Sequence, residues 1–192
     1  MDKKNSPFIV SFMGVDGSGK TTLSKKIIKE FKKSKYLHLK PYILLQDKRT
    51  VIKNPQMKKK SSSIVSLIRL LSWLISYKVF FLKKRYNQIY IFDRYAHDIL
   101  IDPFRYKHNL TKKLTKIILN FFPSPNLWIF LNPTLNIIKS RKSELSDNEV
   151  KRQSKEYSIF FKNKKNVLIL NTNKQSRILI TIIKNKMNFL IK

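Results

Sequence analysis

The sequence predicts an α/β fold of three layers, with a central parallel sheet of about five strands flanked by helices. Three observations carry that expectation. Short unbroken apolar runs, FIVSFM at 8–13, IYIF at 89–92, LWIFL at 127–131 and VLIL at 167–170, recur between longer segments of helical spacing. Parallel strands covered on both faces read in this way. The first run leads directly into a glycine-bearing loop and then a basic helical segment. At 192 residues the chain is also long enough for a full hydrophobic core, and it reads as a single domain over 1–192.

In chain order, Phe8–Met13 is the first strand. Thr21–Lys35 follows, basic, with Leu23, Ile27, Ile28 and Phe31 at helical spacing. Tyr36–Leu45 reads as a second strand or strand plus turn, interrupted by Pro41, and 46–63 as a polar surface loop. Ile64–Leu82 is the most apolar stretch and approaches the length of a membrane span. Arg69 and Lys78 lie inside it, so a buried helix with one polar face is expected and no membrane span. Ile89–Phe92 is a strand ending in Asp93, and Leu127–Leu131 and Val167–Leu170 are two more. Thr111–Phe122, Leu135–Phe161 and Gln175–Ile191 supply helices. No repeat or second domain is apparent.

With no cysteine in the chain, disulfides, thiol nucleophiles and cysteine-ligated metals are excluded. The apolar run near the N-terminus is too short for a signal peptide, so a cytoplasmic location is expected. The formal charge of +30 invites a polyanion partner. The lysines, however, are scattered along the whole chain, and lysine, asparagine and isoleucine are all abundant while glycine is scarce, as AT-rich coding produces. No specific nucleic-acid partner is expected, only weak salt-sensitive adhesion.

Residues 14–22 read GVDGSGKTT and contain all three glycines of the chain. The string fits the phosphate-loop pattern G-x-x-x-x-G-K-[ST], in which backbone N–H groups cradle phosphate at a helix N-terminus. Gly14, Asp16, Gly17, Ser18, Gly19, Lys20, Thr21 and Thr22 are therefore expected to hold ATP. Lys20 would reach the β/γ-phosphates and the Thr21 hydroxyl the Mg²⁺ shell.

Acidic residues number 11, so their places carry information. Asp93 sits at the C-terminal end of a strand, the edge where open α/β sheets bind ligands. It would hold Mg²⁺ and Arg94 an acceptor phosphate; capping of the next helix is the plainer alternative. Within DRYAHDILIDPFRY at 93–106, Asp98, Asp102 and Arg105 either line an acceptor pocket or pair among themselves. Residues 139–157 carry Arg141 and Arg152, two of eight arginines. A mobile lid carrying them would supply charge to the transferring phosphoryl; a solvated helical hairpin is the alternative.

Together, Gly14–Thr22 with Asp16 inside it and Asp93-Arg94-Tyr95 resemble the thymidylate kinase family of P-loop nucleoside-monophosphate kinases. The resemblance implies a P-loop NTPase fold, ATP and Mg²⁺ as cofactors and a small-molecule phosphate acceptor, with dTMP converted to dTDP in nucleotide biosynthesis. It implies that Asp16 contacts a sugar hydroxyl, that Arg94 binds the acceptor phosphate and that 141–157 is the lid. It makes Arg69 and Trp73 candidates for the acceptor base and sets Lys40-Pro41 where the family has an Arg-Glu-Pro turn. The family's Pro-Gly-Gly and Tyr-Gln-Gly turns are absent. Asp98, Asp102-Pro103 and Arg105-Tyr106 instead resemble a divergent thymidylate-kinase-like subgroup, which keeps a deoxynucleoside or sugar acceptor open, as well as a non-catalytic nucleotide-binding protein. Monomer and homodimer both stay open. A GTPase is excluded, because no glycine outside the loop exists to form its switch.

Overall fold

The computed structural model describes residues 7–41, 59–82, 88–141 and 145–191. Five strands form one sheet in the order β2-β3-β1-β4-β5, and every pairing is parallel. They are β1 (Phe8–Met13), β2 (Ser34–His38), β3 (Ile89–Asp93), β4 (Leu127–Leu131) and β5 (Val167–Leu170). Among the described residues the helices are α1 (Lys20–Glu30), α2 (Ser63–Leu82), α3 (Lys112–Leu119), α4 (Leu135–Arg141), α5 (Asp147–Lys162) and α6 (Ser176–Ile191), with a 3₁₀ turn at Ala96–Leu100. The chain divides into two compact units. One comprises residues 1–38, 85–95 and 124–192; the other, 39–84 and 96–123.

The first unit holds the whole sheet and has the three layers expected. Because side chains alternate along a strand, each strand feeds both faces. Val10, Phe12, Ile91, Leu127, Ile129 and Leu131 pack with Leu23 and Ile27 of α1 and Leu179, Ile183 and Met187 of α6. On the other face Trp128 and Phe130 meet the α5 aromatics, with Phe130 ring centroids 5.2 Å from Phe161 and 5.5 Å from Tyr157. The three inner strands are buried nearly throughout, whereas β5 is an edge and Ile169 is exposed. The second strand corrects the sequence reading. It starts at Ser34 and ends at His38, and the later part of the expected strand, 42–45, lies outside the described residues, as does most of the polar loop at 46–63.

The stretch expected to supply helices over Leu135–Phe161 holds two, α4 and α5. Ser146 caps α5 by accepting from the Glu149 N–H at 3.4 Å, the Ser-x-x-Glu spacing of a capping box. Leu145 and Val150 are both buried at the positions of a hydrophobic staple.

In the second unit α2 buries one stripe, Ser66, Leu70, Trp73, Tyr77 and Phe81. Tyr77 and Trp73 meet Phe122 and Tyr106 edge-on, at 5.2 and 5.5 Å. The outer face is not the polar one expected, since Ile64, Ile68, Leu71, Ile75 and Leu82 are exposed on it. By length and composition alone α2 could cross a membrane, with a mean hydropathy of 1.6 over its most apolar stretch, of which 28% is buried.

His108 is buried beside α3, contacting Thr115 Oγ1 through Nε2 at 2.7 Å. The Thr115 hydroxyl donates to the Thr111 carbonyl at 2.9 Å, so it accepts from His108 and leaves Nδ1 as the unprotonated nitrogen. Burial first, and then the Arg69 and Lys60 charges, lowers the imidazole pKa from 6.5 to about 4. The folded pKa lies below the unfolded one, so the unfolded chain takes up the proton first. Stability is therefore full above the unfolded pKa and lost as pH falls from 6.5 towards 4. Thermal unfolding followed by circular dichroism should show Tm falling across that window, and His108→Gln should flatten the fall. Parallel pH profiles for the two proteins would refute this assignment.

Candidate active site

β1 lies between β3 and β4, and β3 delivers functional groups beside its C-terminal end. Phe12 stands opposite Asp93 in the register, and the Arg94 N–H donates to the Phe12 carbonyl at 2.9 Å. The loop then turns across the end of β4. A Cβ on Gly14 would lie 2.5 Å from the Leu131 carbonyl oxygen and 2.9 Å from Ser18 Oγ, so no side chain fits there. Gly19, at φ +92°, is the N-cap of α1 and has no side chain with which to cap it. The first N–H groups of α1 are thus presented as a helix N-terminus does to an anion.

Lys20 is 5% exposed. Its ammonium donates to the carbonyls of Gly14 and Val15, each at 2.7 Å, and lies 3.8 Å from Asp16 Oδ1. In this structure the lysine expected to reach a nucleotide phosphate is therefore folded onto its own loop.

Asp93 ends β3 fully buried. Its Oδ2 accepts from the Thr21 hydroxyl at 2.5 Å and from the Tyr36 hydroxyl at 2.9 Å, and His38 Nδ1 lies 3.7 Å away. Burial opposes its ionisation, but the nearby His38 imidazole, the Lys20 charge and the Thr21 hydroxyl together hold the carboxyl well below the usual range. Asp93 is thus an anion facing Thr21, rather than merely a strand-end cap. Two adjoining oxygen donors of this kind suit Mg²⁺, which takes one or two protein oxygens and keeps waters and phosphate oxygens for the rest. Among the described residues no group of three or more His, Cys, Asp or Glu is placed to hold a metal.

Asp16 and Arg94 form an ion pair through Oδ1 and Nη2, with side chains 12% and 7% exposed. Arg94 adopts φ +71°, a conformation that costs a non-glycine residue of order 1 kcal/mol or more and clusters at functional sites. Tyr95 beside it is fully buried and packs edge-on against Phe92 and Trp128, which anchors the backbone on the far side. The carboxylate in the loop, expected to be offset by a sugar hydroxyl, is offset here by the protein's own cations.

Arg141 ends α4 with its guanidinium beside the loop, since a Cβ on Gly19 would lie 3.6 Å from Nη1. It donates to the Thr172 hydroxyl at 3.3 Å and the Thr172 carbonyl at 3.1 Å. Arg152, the other expected lid arginine, makes a two-pronged pair with Glu149 at 2.7 and 2.6 Å on the α5 surface. The expected lid at 139–157 comprises the end of α4 and the first part of α5; residues 142–144 lie outside the described ones.

The candidates for the acceptor base lie in the second unit. Arg69 donates to the Tyr106 carbonyl at 2.6 Å and to Ser61 Oγ at 3.2 Å. Trp73 is buried with Tyr106 on its edge and the Lys40 ammonium 5.7 Å from its ring centre. The Tyr106 hydroxyl donates to Asp98 at 2.6 Å, while Asp102 pairs with Arg105 at 2.9 Å. Burial pushes the Asp102 pKa up despite Arg105. Pairing within the 93–106 string is thus what the structure records for Asp102 and Arg105. Three partners escaped the sequence reading: Thr172, Tyr36 and His38. The signal for the last two was their period-two spacing on a strand beside the one carrying Asp93.

No family model matches this sequence. It is 29% identical over 148 residues to a "Probable thymidylate kinase" of Sulfurisphaera tokodaii, covering 76% of this chain and 75% of that one. In fold it resembles deoxyadenosine kinase from M. mycoides with a TM-score of 0.66 at 18% identity, over 94% of this chain and 99% of the other. It likewise resembles thymidylate kinase from Candida albicans, with a TM-score of 0.63 at 15% identity over 97% and 94% of the two chains. The P-loop kinase fold is thereby shown, and the resemblance to a divergent thymidylate-kinase-like family is borne out.

Proposed function

We propose that this thymidylate-kinase-like chain is a nucleotide kinase that transfers the ATP γ-phosphoryl in line to a nucleoside monophosphate, dTMP being the acceptor favoured. The observation that carries the reading is the joining of two motifs at one sheet edge, with Thr21 of the loop bonded to Asp93 and Asp16 of the loop paired with Arg94. Loop amides and Lys20 hold the donor phosphates, and Arg141 lies where it can neutralise them. Mg²⁺, when bound by Thr21 and Asp93, would neutralise charge on the phosphates. Arg94 takes the acceptor phosphate, and Asp16, released from that pair, takes a sugar hydroxyl. Arg69, Trp73 and Asp98 are assigned to the acceptor base, and Arg152 to the lid. The acceptor oxygen of a monophosphate is already an anion, so positioning and neutralisation supply the rate and no strong base is needed. The single domain, the cytoplasmic location and the absence of a membrane span belong to this same reading.

The acceptor is tested by comparing dTMP with its 3′-deoxy analogue. Wild type should prefer dTMP, and Asp16→Asn should lose most of that preference while still binding ATP, because a charge-assisted hydrogen bond contributes about 1.5–3 kcal/mol. Equal loss towards both acceptors would reduce Asp16 to a partner of Arg94. Turnover of a nucleoside or sugar, with none of any monophosphate, would replace dTMP by that acceptor.

A further inference from the structure

Thr172 lies two residues beyond the end of β5 and is buried, 3% exposed, in the loop leading to α6. No motif includes it. Its hydroxyl donates to the Ser18 carbonyl in the phosphate loop at 3.0 Å. With that proton committed, the oxygen's lone pairs are free to accept, and one meets Arg141 Nη1 at 3.3 Å. The Thr172 carbonyl accepts from Nη2 of the same guanidinium at 3.1 Å. Two acceptors on one residue thus fix both the place and the plane of a rigid fork, and the fork lies against Gly19, the N-cap of α1.

We propose that Thr172 is a positioning residue: it ties the phosphate loop to Arg141 and holds that arginine over the α1 N-terminus before nucleotide arrives. The inference rests on the ATP-binding reading above. An unheld arginine at the end of α4 would have to give up its rotamer freedom when nucleotide binds, and that loss would weaken affinity. The link also makes the end of β5 part of the donor site, although it lies 154 residues from Ser18 in sequence.

Thr172→Val keeps the shape and the backbone carbonyl but removes the hydroxyl. ATP affinity measured by calorimetry on the intact chain should weaken about tenfold, the worth of one charge-assisted hydrogen bond. The KM for ATP should rise in parallel, with the KM for the acceptor unmoved, and Thr172→Ser should restore both. The discriminating background is Arg141→Ala, in which Thr172→Val should change ATP affinity no further. If Thr172→Val weakens ATP equally in both backgrounds, or binds ATP as wild type does, the positioning role is overturned. Wild-type protein that binds no ATP would overturn the donor-site reading and this inference together.

Discussion

Lys20→Ala should lower turnover by about 10²–10³-fold, the cost of removing one preorganised donor from developing charge, in a chain that still folds. The lysine's two short bonds go to the carbonyls of Gly14 and Val15 at the loop itself, and water admitted by the truncation can reach both. The apolar core lies elsewhere, between the sheet and the helices on its faces. Circular dichroism should therefore show an unchanged fold while calorimetry shows weakened ATP binding. A folded Lys20→Ala protein that binds and turns over ATP normally would remove the phosphate-loop assignment.

Arg94→Ala should be the most damaging single change to stability near the site. It strands the Asp16 carboxylate, 12% exposed, with Lys20 at 3.8 Å as a remaining cation. Breaking one side of such a pair costs about 3–5 kcal/mol when the pair is fully buried, and somewhat less here. Alanine retains the cost of φ +71°, so the loss reports the missing charge and not a relaxed backbone. Adding Asp16→Ala should return much of the lost stability, because the carboxylate that lost its arginine is then removed as well. Activity should stay low in both variants, since in the proposed mechanism Arg94 is the cation that holds the acceptor phosphate. Chemical denaturation of the two variants checks this; equal destabilisation would show that the pair does not matter to folding.

How far the sequence could be read depended on whether the deciding interaction was local. Phe8–Met13 and Leu127–Leu131 have the observed strand limits because inner strands of a parallel sheet are apolar on both faces. β2 was misplaced because Ser34–His38 is a polar edge strand, and pairing with β3 rather than its own pattern fixes its limits. The break between α4 and α5 is marked locally by Ser146 and Glu149, which form the cap of α5. The outer face of α2 was misjudged because Arg69 and Lys78 were taken to mark a polar side. Arg69 instead turns its guanidinium to the Tyr106 carbonyl and Ser61, and its neighbours on the outside are Ile68 and Leu71.

The site divides in the same way. The loop, Asp93 and Arg94 stand in short motifs whose chemistry is contained in the string. Thr172, Tyr36 and His38 have no motif, and their roles arise only from sheet order and register. Tyr36 and His38 reach Asp93 because β2 lies beside β3. Thr172 reaches the loop because β5 lies beyond β4 in the same parallel sheet. Arg141 was found for its charge, whereas the partner that holds it was not.

Phosphoryl transfer itself can be observed directly. ATP carrying a radiolabelled γ-phosphate is incubated with the intact chain, Mg²⁺ and dTMP, and the products are separated. Label should appear in dTDP, with one ADP formed for each dTDP, and should appear at least about a hundredfold more slowly with Lys20→Ala and far more slowly than wild type with Arg94→Ala at the same protein concentration. Label that remains in ATP under wild-type conditions, across the nucleoside monophosphates as well as dTMP, would contradict a nucleoside-monophosphate kinase built on these residues.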